Sequence, residues 1–109
     1  MAENTPQNAA LDTLRQVFGL AGGGALSYSD LDAVAKLLVT SGNHGMASHL
    51  YNTWLNSTVS PLAYVVQADL GDVLVLAKDI TGAEQAFRRS LTLNGAYMRA
   101  QTALAKLTG

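Results

Sequence analysis

PLAYVVQADLGDVLVLAK, residues 61–78, is the stretch whose reading decides the fold. On a helical wheel Leu62, Ala63, Val66, Leu70, Val73, Leu74 and Ala77 form one apolar stripe at the spacing of a core-facing helix. Tyr64, Val65, Ala68, Val75 and Leu76 form a second apolar set that takes most of the remainder. A helix apolar on both sides has protein on both sides. The stretch therefore predicts the central helix of a small all-helical stack. Ser60-Pro61 opens it, a cap followed by a first-turn proline whose missing N–H costs nothing there.

Before that helix, three more are expected. Helix one covers about 9–20 and buries Leu11, Leu14, Val17, Phe18 and Ala21, after a polar, disordered N-terminus over residues 1–8. Gly22-Gly23-Gly24 stops it, because glycine offers left-handed backbone and poor helix propensity. Helix two starts at Ser27 or Ser29, either of which can cap it, with Asp30 and Asp32 in its first turn and Leu31, Val34, Ala35 and Leu38 inside. Helix three, about 45–55, carries Ala47, Leu50, Tyr51, Trp54 and Leu55 on one side and Ser48, His49, Asn52 and Thr53 on the other. Beyond the central helix, helix five (about 82–93) buries Ala83, Ala86, Phe87, Ser90 and Leu91. Helix six (about 96–107) buries Tyr97, Ala100, Ala103, Leu104 and Leu107. The valines follow helical spacing, and no strand is predicted.

Composition narrows the function classes. A chain of 109 residues makes one domain, read here as residues 9–108. Seven basic and eight acidic residues without a basic block give a formal charge of −1, which argues against nucleic-acid binding, since that rests on phosphate neutralisation. There is no cysteine, hence no disulfide, which fits a reducing compartment. The opening residues lack a basic and apolar leader pattern, and the longest apolar run, 73–77, is too short to span a bilayer. The chain reads as soluble and cytoplasmic.

The chain also repeats itself. Helices three and five superimpose at an offset of 36: Ala47 on Ala83, Leu50 on Ala86, Tyr51 on Phe87, Trp54 on Ser90, and the turn residue Asn43 on Asp79. The central and last helices superimpose at 34, with Val66 on Ala100, Gln67 on Gln101 and Leu70 on Leu104. Such a period marks stacked helical hairpins. In its best unit, residues 64–97, the chain resembles the tetratricopeptide repeat family. Leu70-Gly71 stands where that family has its Leu-Gly pair. Ala83, Phe87 and Leu91 stand at the small-large-large positions of its second helix, and Asn94-Gly95 where Asn-Pro is usual. Gln67 replaces the usual tryptophan and Gly95 the usual proline. The resemblance implies about six helices in antiparallel hairpins, a short superhelix, with Ala83 packed on Gly71.

The segments LDTLRQVF, SPLAYVVQADLG and GAEQAFRRSLTLN further resemble the amino-terminal repeat region of bacterial SPINDLY-like proteins, which are similar to O-linked N-acetylglucosamine transferases. This likeness, over residues 11–107, is one of scaffold. It implies either an accessory subunit of a biosynthetic or glycosyltransferase-type complex, or the repeat arm of such an enzyme, and carries catalysis to no residue here.

Candidate chemistry is sparse. His44 and His49 stand about 140° apart on a helix and cannot chelate one metal from one face. Asp69 and Asp72, three apart, share a sector, and paired carboxylates can do acid–base work or hold a cation. The plainer expectation is a polar strip facing solvent or a partner's basic residue. The glycine run lacks the Lys-Ser/Thr of a phosphate loop, and Arg88-Arg89 reads as a solvated face. The repeat family's concave positions correspond to Val65, Ala68, Asp72 and Val75, none able to donate to a peptide carboxylate. The expectation is thus a non-enzymatic protein-interaction or assembly module without cofactor. Its partner-binding residues are Tyr64, Val65, Ala68, Asp72, Val75 and Leu76, its partner is another protein or a second copy, and a two-fold dimer is favoured.

Overall fold

The computed structural model describes residues 6–109, with side chains described from Leu11 onward. Six helices follow in order: α1 (Pro6–Gly22), α2 (Tyr28–Thr40), α3 (His44–Ser57), α4 (Ala63–Leu76), α5 (Ile80–Leu93) and α6 (Met98–Thr108). No strand occurs among the described residues. α2 packs on α3, α3 on α4, α4 most extensively on α5, α5 on α6, while α1 lies against α3. Helix α1 starts at Pro6, earlier than its apolar pattern suggested, and the N-terminal residues 1–5 lie outside the described part.

The turns carry the repeat most plainly. At the α2–α3 turn Gly42 has a positive φ of 81°, and the Asn43 N–H donates back to the Leu38 carbonyl at 2.8 Å. Thirty-six positions on, Lys78 has a φ of 65° and the Asp79 N–H donates to Leu74 at 2.8 Å. Both are left-handed caps of the Schellman type, one built on glycine and one on lysine. Gly24 (φ 74°) closes α1 the same way, with the Ala25 N–H on the Leu20 carbonyl. It also passes close to α3, because a Cβ there would stand 2.8 Å from the Ser57 carbonyl oxygen.

Helix starts moved by a residue or two from their sequence expectations, for local reasons. Of the two serines offered for α2, Ser27 is the cap, its hydroxyl accepting from the Asp30 N–H at 3.1 Å. The central helix begins at Ala63, not Pro61. The Ser60 hydroxyl accepts from the Leu62 N–H and its carbonyl from Ala63, so residues 60–63 form a turn ahead of the helix. Asp79 caps α5 through the Gly82 N–H at 3.0 Å, which starts that helix at Ile80.

Two cores sit on opposite sides of α4. The larger joins Leu26, Leu31, Leu38, Leu50, Trp54 and Val66 with Leu70 and Val73. The Trp54 indole N–H donates to the Leu26 carbonyl at 2.8 Å, so the largest core side chain leaves no polar atom unpaired. The smaller joins Ala68, Ala83, Phe87 and Ala100 between α4, α5 and α6. The group nearest Gly71 is the Phe87 ring, one turn from the expected Ala83. A Cβ on Gly71 would stand 2.6 Å from the Phe87 ring, so the ring lies directly on the glycine backbone. Ser90, fully buried, donates to the Tyr64 carbonyl at 2.7 Å and ties α5 to the first turn of α4.

Some sequence expectations fail at the edges of these cores. Leu11, Leu62 and Ala77 are exposed, because helix ends and the outer flank of α1 have no neighbour at those points. His49 is exposed, as expected, and its ring stacks on Phe18 at 5.1 Å between ring centres.

Candidate functional site

Residues of α2, α4 and α6 line one continuous face of the stack. It holds two hollows that share Asp72, Leu76 and Arg99. The larger, about 640 Å³, runs between the C-terminal half of α4 and α6 and is walled by Val75, Leu76, Met98, Ala103 and Leu107 over the edge of Phe87. The smaller, about 350 Å³, lies between α2 and α4 with Tyr51 of α3 on its wall.

An ion cluster separates them. One terminal nitrogen of Arg99 donates to Asp69 at 2.7 Å and to Asp72 at 2.5 Å, and the other to the Tyr97 hydroxyl at 3.2 Å. Helical spacing puts Asp69 and Asp72 on one sector of α4, and α6 supplies the guanidinium from 27 and 30 residues away. The expectation that the pair faces solvent holds for Asp72, whose side chain is 52% exposed, and fails for Asp69 at 15%; the base that both meet belongs to this chain. Burial works against the Arg99 charge, but the hydrogen bonds to Asp72, Tyr97 and Asp69 outweigh it and raise its pKa. Burial raises the Asp69 carboxyl above the usual carboxylate value, and Arg99 offsets this only in part. Asp69 Oδ2 is buried with no hydrogen-bond partner. On the α2 side, Lys36 pairs with Asp32 at 2.9 Å.

The six residues expected to meet a partner separate into two groups. Val75 and Leu76 are exposed on the larger hollow, and Asp72 stands exposed on its rim. Ala68 is fully buried under α6 and cannot meet a partner, because α6 packs on that flank of α4. Tyr64 is half-buried, with the Tyr97 ring edge-on at 4.8 Å, and Val65 is half-buried beside it. For Ala68 and Tyr64 the cover comes from the chain's own last helix and the residue before it. Sequence reasoning missed Arg99, Met98, Tyr51 and Lys36. The available signal was the placement of α6 one repeat beyond α4, which brings its exposed positions to the same face.

No helix among the described residues is long and apolar enough to cross a membrane. Comparison with protein-family models, with curated proteins and with solved structures finds no match to this chain.

Proposed function

We propose that the chain is a protein-interaction or assembly module, a short tetratricopeptide-like scaffold that docks a protein segment along the face made by α2, α4 and α6. The observation that carries this reading is the larger hollow. Leu76 and Met98 are 52% and 72% exposed beside Val75, next to an Asp72–Arg99 ion pair that supplies a polar rim. Apolar side chains clustered in a concavity with a charged border match the anatomy of a docking surface better than scattered surface leucines do. The 36-residue correspondence of the two capped turns supports the repeat scaffold, and a cysteine-free composition supports a cytoplasmic setting. Membership of a larger biosynthetic or glycosyltransferase-type assembly is part of the same proposal and rests on the sequence resemblance.

The segment comes from a second copy, as a two-fold dimer would supply it, or from a different protein. Sedimentation of the parent and of a Val75→Lys/Met98→Lys double variant separates these. A self-associating parent should become monomeric in the variant. A monomeric parent should instead retain, from its native cell, a partner that the variant releases. Melting of the variant should stay within about 1 kcal/mol of the parent, as exposed substitutions each change stability by about 0.5 kcal/mol or less. A parent that neither self-associates nor retains a partner would sink the reading.

A further inference from the structure

We propose that the smaller hollow, between α2, α4 and α6, is a subsite for the basic side chain, lysine or arginine, of the docked protein segment. The inference rests on the docking reading above and adds the chemistry of what docks. Asp32, Asp69 and Asp72 face this hollow against Lys36 and Arg99, three carboxylates for two cations. The pairings leave the shortfall on α4, since Asp69 and Asp72 share the one guanidinium while Asp32 has Lys36.

Two polar atoms of its lining make no hydrogen bond to any described residue, and one of them is sealed from solvent. Tyr51 is only 4% exposed, lines the hollow, and its hydroxyl makes no hydrogen bond to any described residue. Asp69, whose side chain is 15% exposed, keeps Oδ2 buried and unpaired. Buried polar groups in native proteins are nearly always satisfied, so the sealed Asp69 oxygen, with an unbonded phenol lining the same hollow, indicates room for a donor. Burial first, then the charges of Asp69 and Asp32, push the Tyr51 pKa upward, so the phenol stays neutral and its oxygen can accept.

The occupant's chemistry follows by elimination. An anion would face surplus negative charge. An uncharged apolar side chain would leave both polar atoms open. No group of three acidic or histidine side chains among the described residues is arranged to hold a metal ion. An ammonium or guanidinium donates to Asp69 and to the Tyr51 oxygen at once, and its alkyl stem lies against Val39, Val73 and Leu76. Leu76 also borders the larger hollow, so one segment can place an apolar residue there and its basic residue here.

The test is a nuclear magnetic resonance titration of the full chain with capped pentapeptides carrying lysine, or its uncharged isostere norleucine, between two leucines. n-Butylammonium serves as the amine without a peptide. The lysine peptide should shift resonances of Tyr51, Asp69 and Leu76 and bind about tenfold more tightly than the norleucine peptide, the worth of one charge-assisted hydrogen bond. Tyr51→Phe and Asp69→Asn, with unchanged circular dichroism, should each remove most of that preference. Asp32→Asn provides a second carboxylate variant should Asp69→Asn fail to fold. Equal binding of the two peptides would overturn the basic subsite while leaving the apolar docking face standing. Shifts with n-butylammonium as strong as with the lysine peptide would overturn a protein segment as the source. No shift at Tyr51 or Asp69 with any probe would mean the hollow holds water alone, and the inference falls.

Discussion

At the scale of single residues, Asp69 concentrates the conflict in this protein. Its carboxylate is mostly buried, one oxygen bonded to Arg99 and the other to nothing. Burial raises its folded-state pKa above the unfolded value despite the neighbouring guanidinium. The folded chain therefore binds that proton more readily than the unfolded chain does. Its contribution to stability is fully present below the unfolded value and is lost as pH rises through the folded value. Asn at this position cannot titrate. The melting temperature of Asp69→Asn minus that of the parent should thus become more negative as the solution is acidified from neutral to about pH 4, near the ordinary Asp value. A difference that stays constant, or moves the other way, would show that Arg99 and not burial governs this carboxylate. Trp54 shows the opposite case, a large side chain whose one polar atom reaches the Leu26 carbonyl and leaves nothing open.

At the scale of elements, the α4–α5 hairpin is fixed by a glycine under an aromatic ring. Phe87 stands where Gly71 has no Cβ, and any side chain at 71 would push the ring from its place between α4, α5 and α6. Gly71→Ala should cost about 1–3 kcal/mol by overpacking, well beyond the small gain in helix propensity. Phe87→Leu removes the ring atoms that would clash, so the alanine should cost measurably less in that background. A denaturant double-mutant cycle with no coupling would place the ring elsewhere. Much of this hairpin was legible beforehand. Leu70-Gly71, Ala83 and Phe87 announced a close crossing, because a small residue on one helix and a large one on its partner are a local chemical signature. That the Phe87 ring would come nearest to Gly71 was not legible, since Ala83 and Phe87 lie one turn apart on the same face.

At the scale of the whole molecule, the last helix is held by few groups, and polar ones matter among them. Ala100 is its one fully buried residue, while the Tyr64–Tyr97 contact and the Arg99 bonds to Asp69 and Asp72 tie its first turn to α4. Arg99→Gln should lower amide protection in α6 by about tenfold, roughly the worth of the lost charge-assisted bonds, while α3 and α4 keep theirs. Hydrogen exchange reads this directly. A uniform loss across all helices would instead mean that α6 opens only with the rest. This docking also decides the site, because the same helix that buries Ala68 and half-covers Tyr64 contributes Met98 and Arg99 to the exposed face.

The sequence by itself determined the helices, their approximate ends, the central position of α4 and the 36-residue correspondence of its hairpin with the one before. These depend on spacing of 3.6 residues, on capping chemistry and on glycine, all of which act within a few residues. Only the tertiary structure decided which part of the second apolar face of α4 stays open. Ala68 and Val75 are equally apolar on a helical wheel, but α6 covers the first and leaves the second. Nor does any local rule link Asp69 to Arg99, since a pairing across 30 residues is set by where two helices pack. Spacing tells which residues share a face; only packing tells what lies against it.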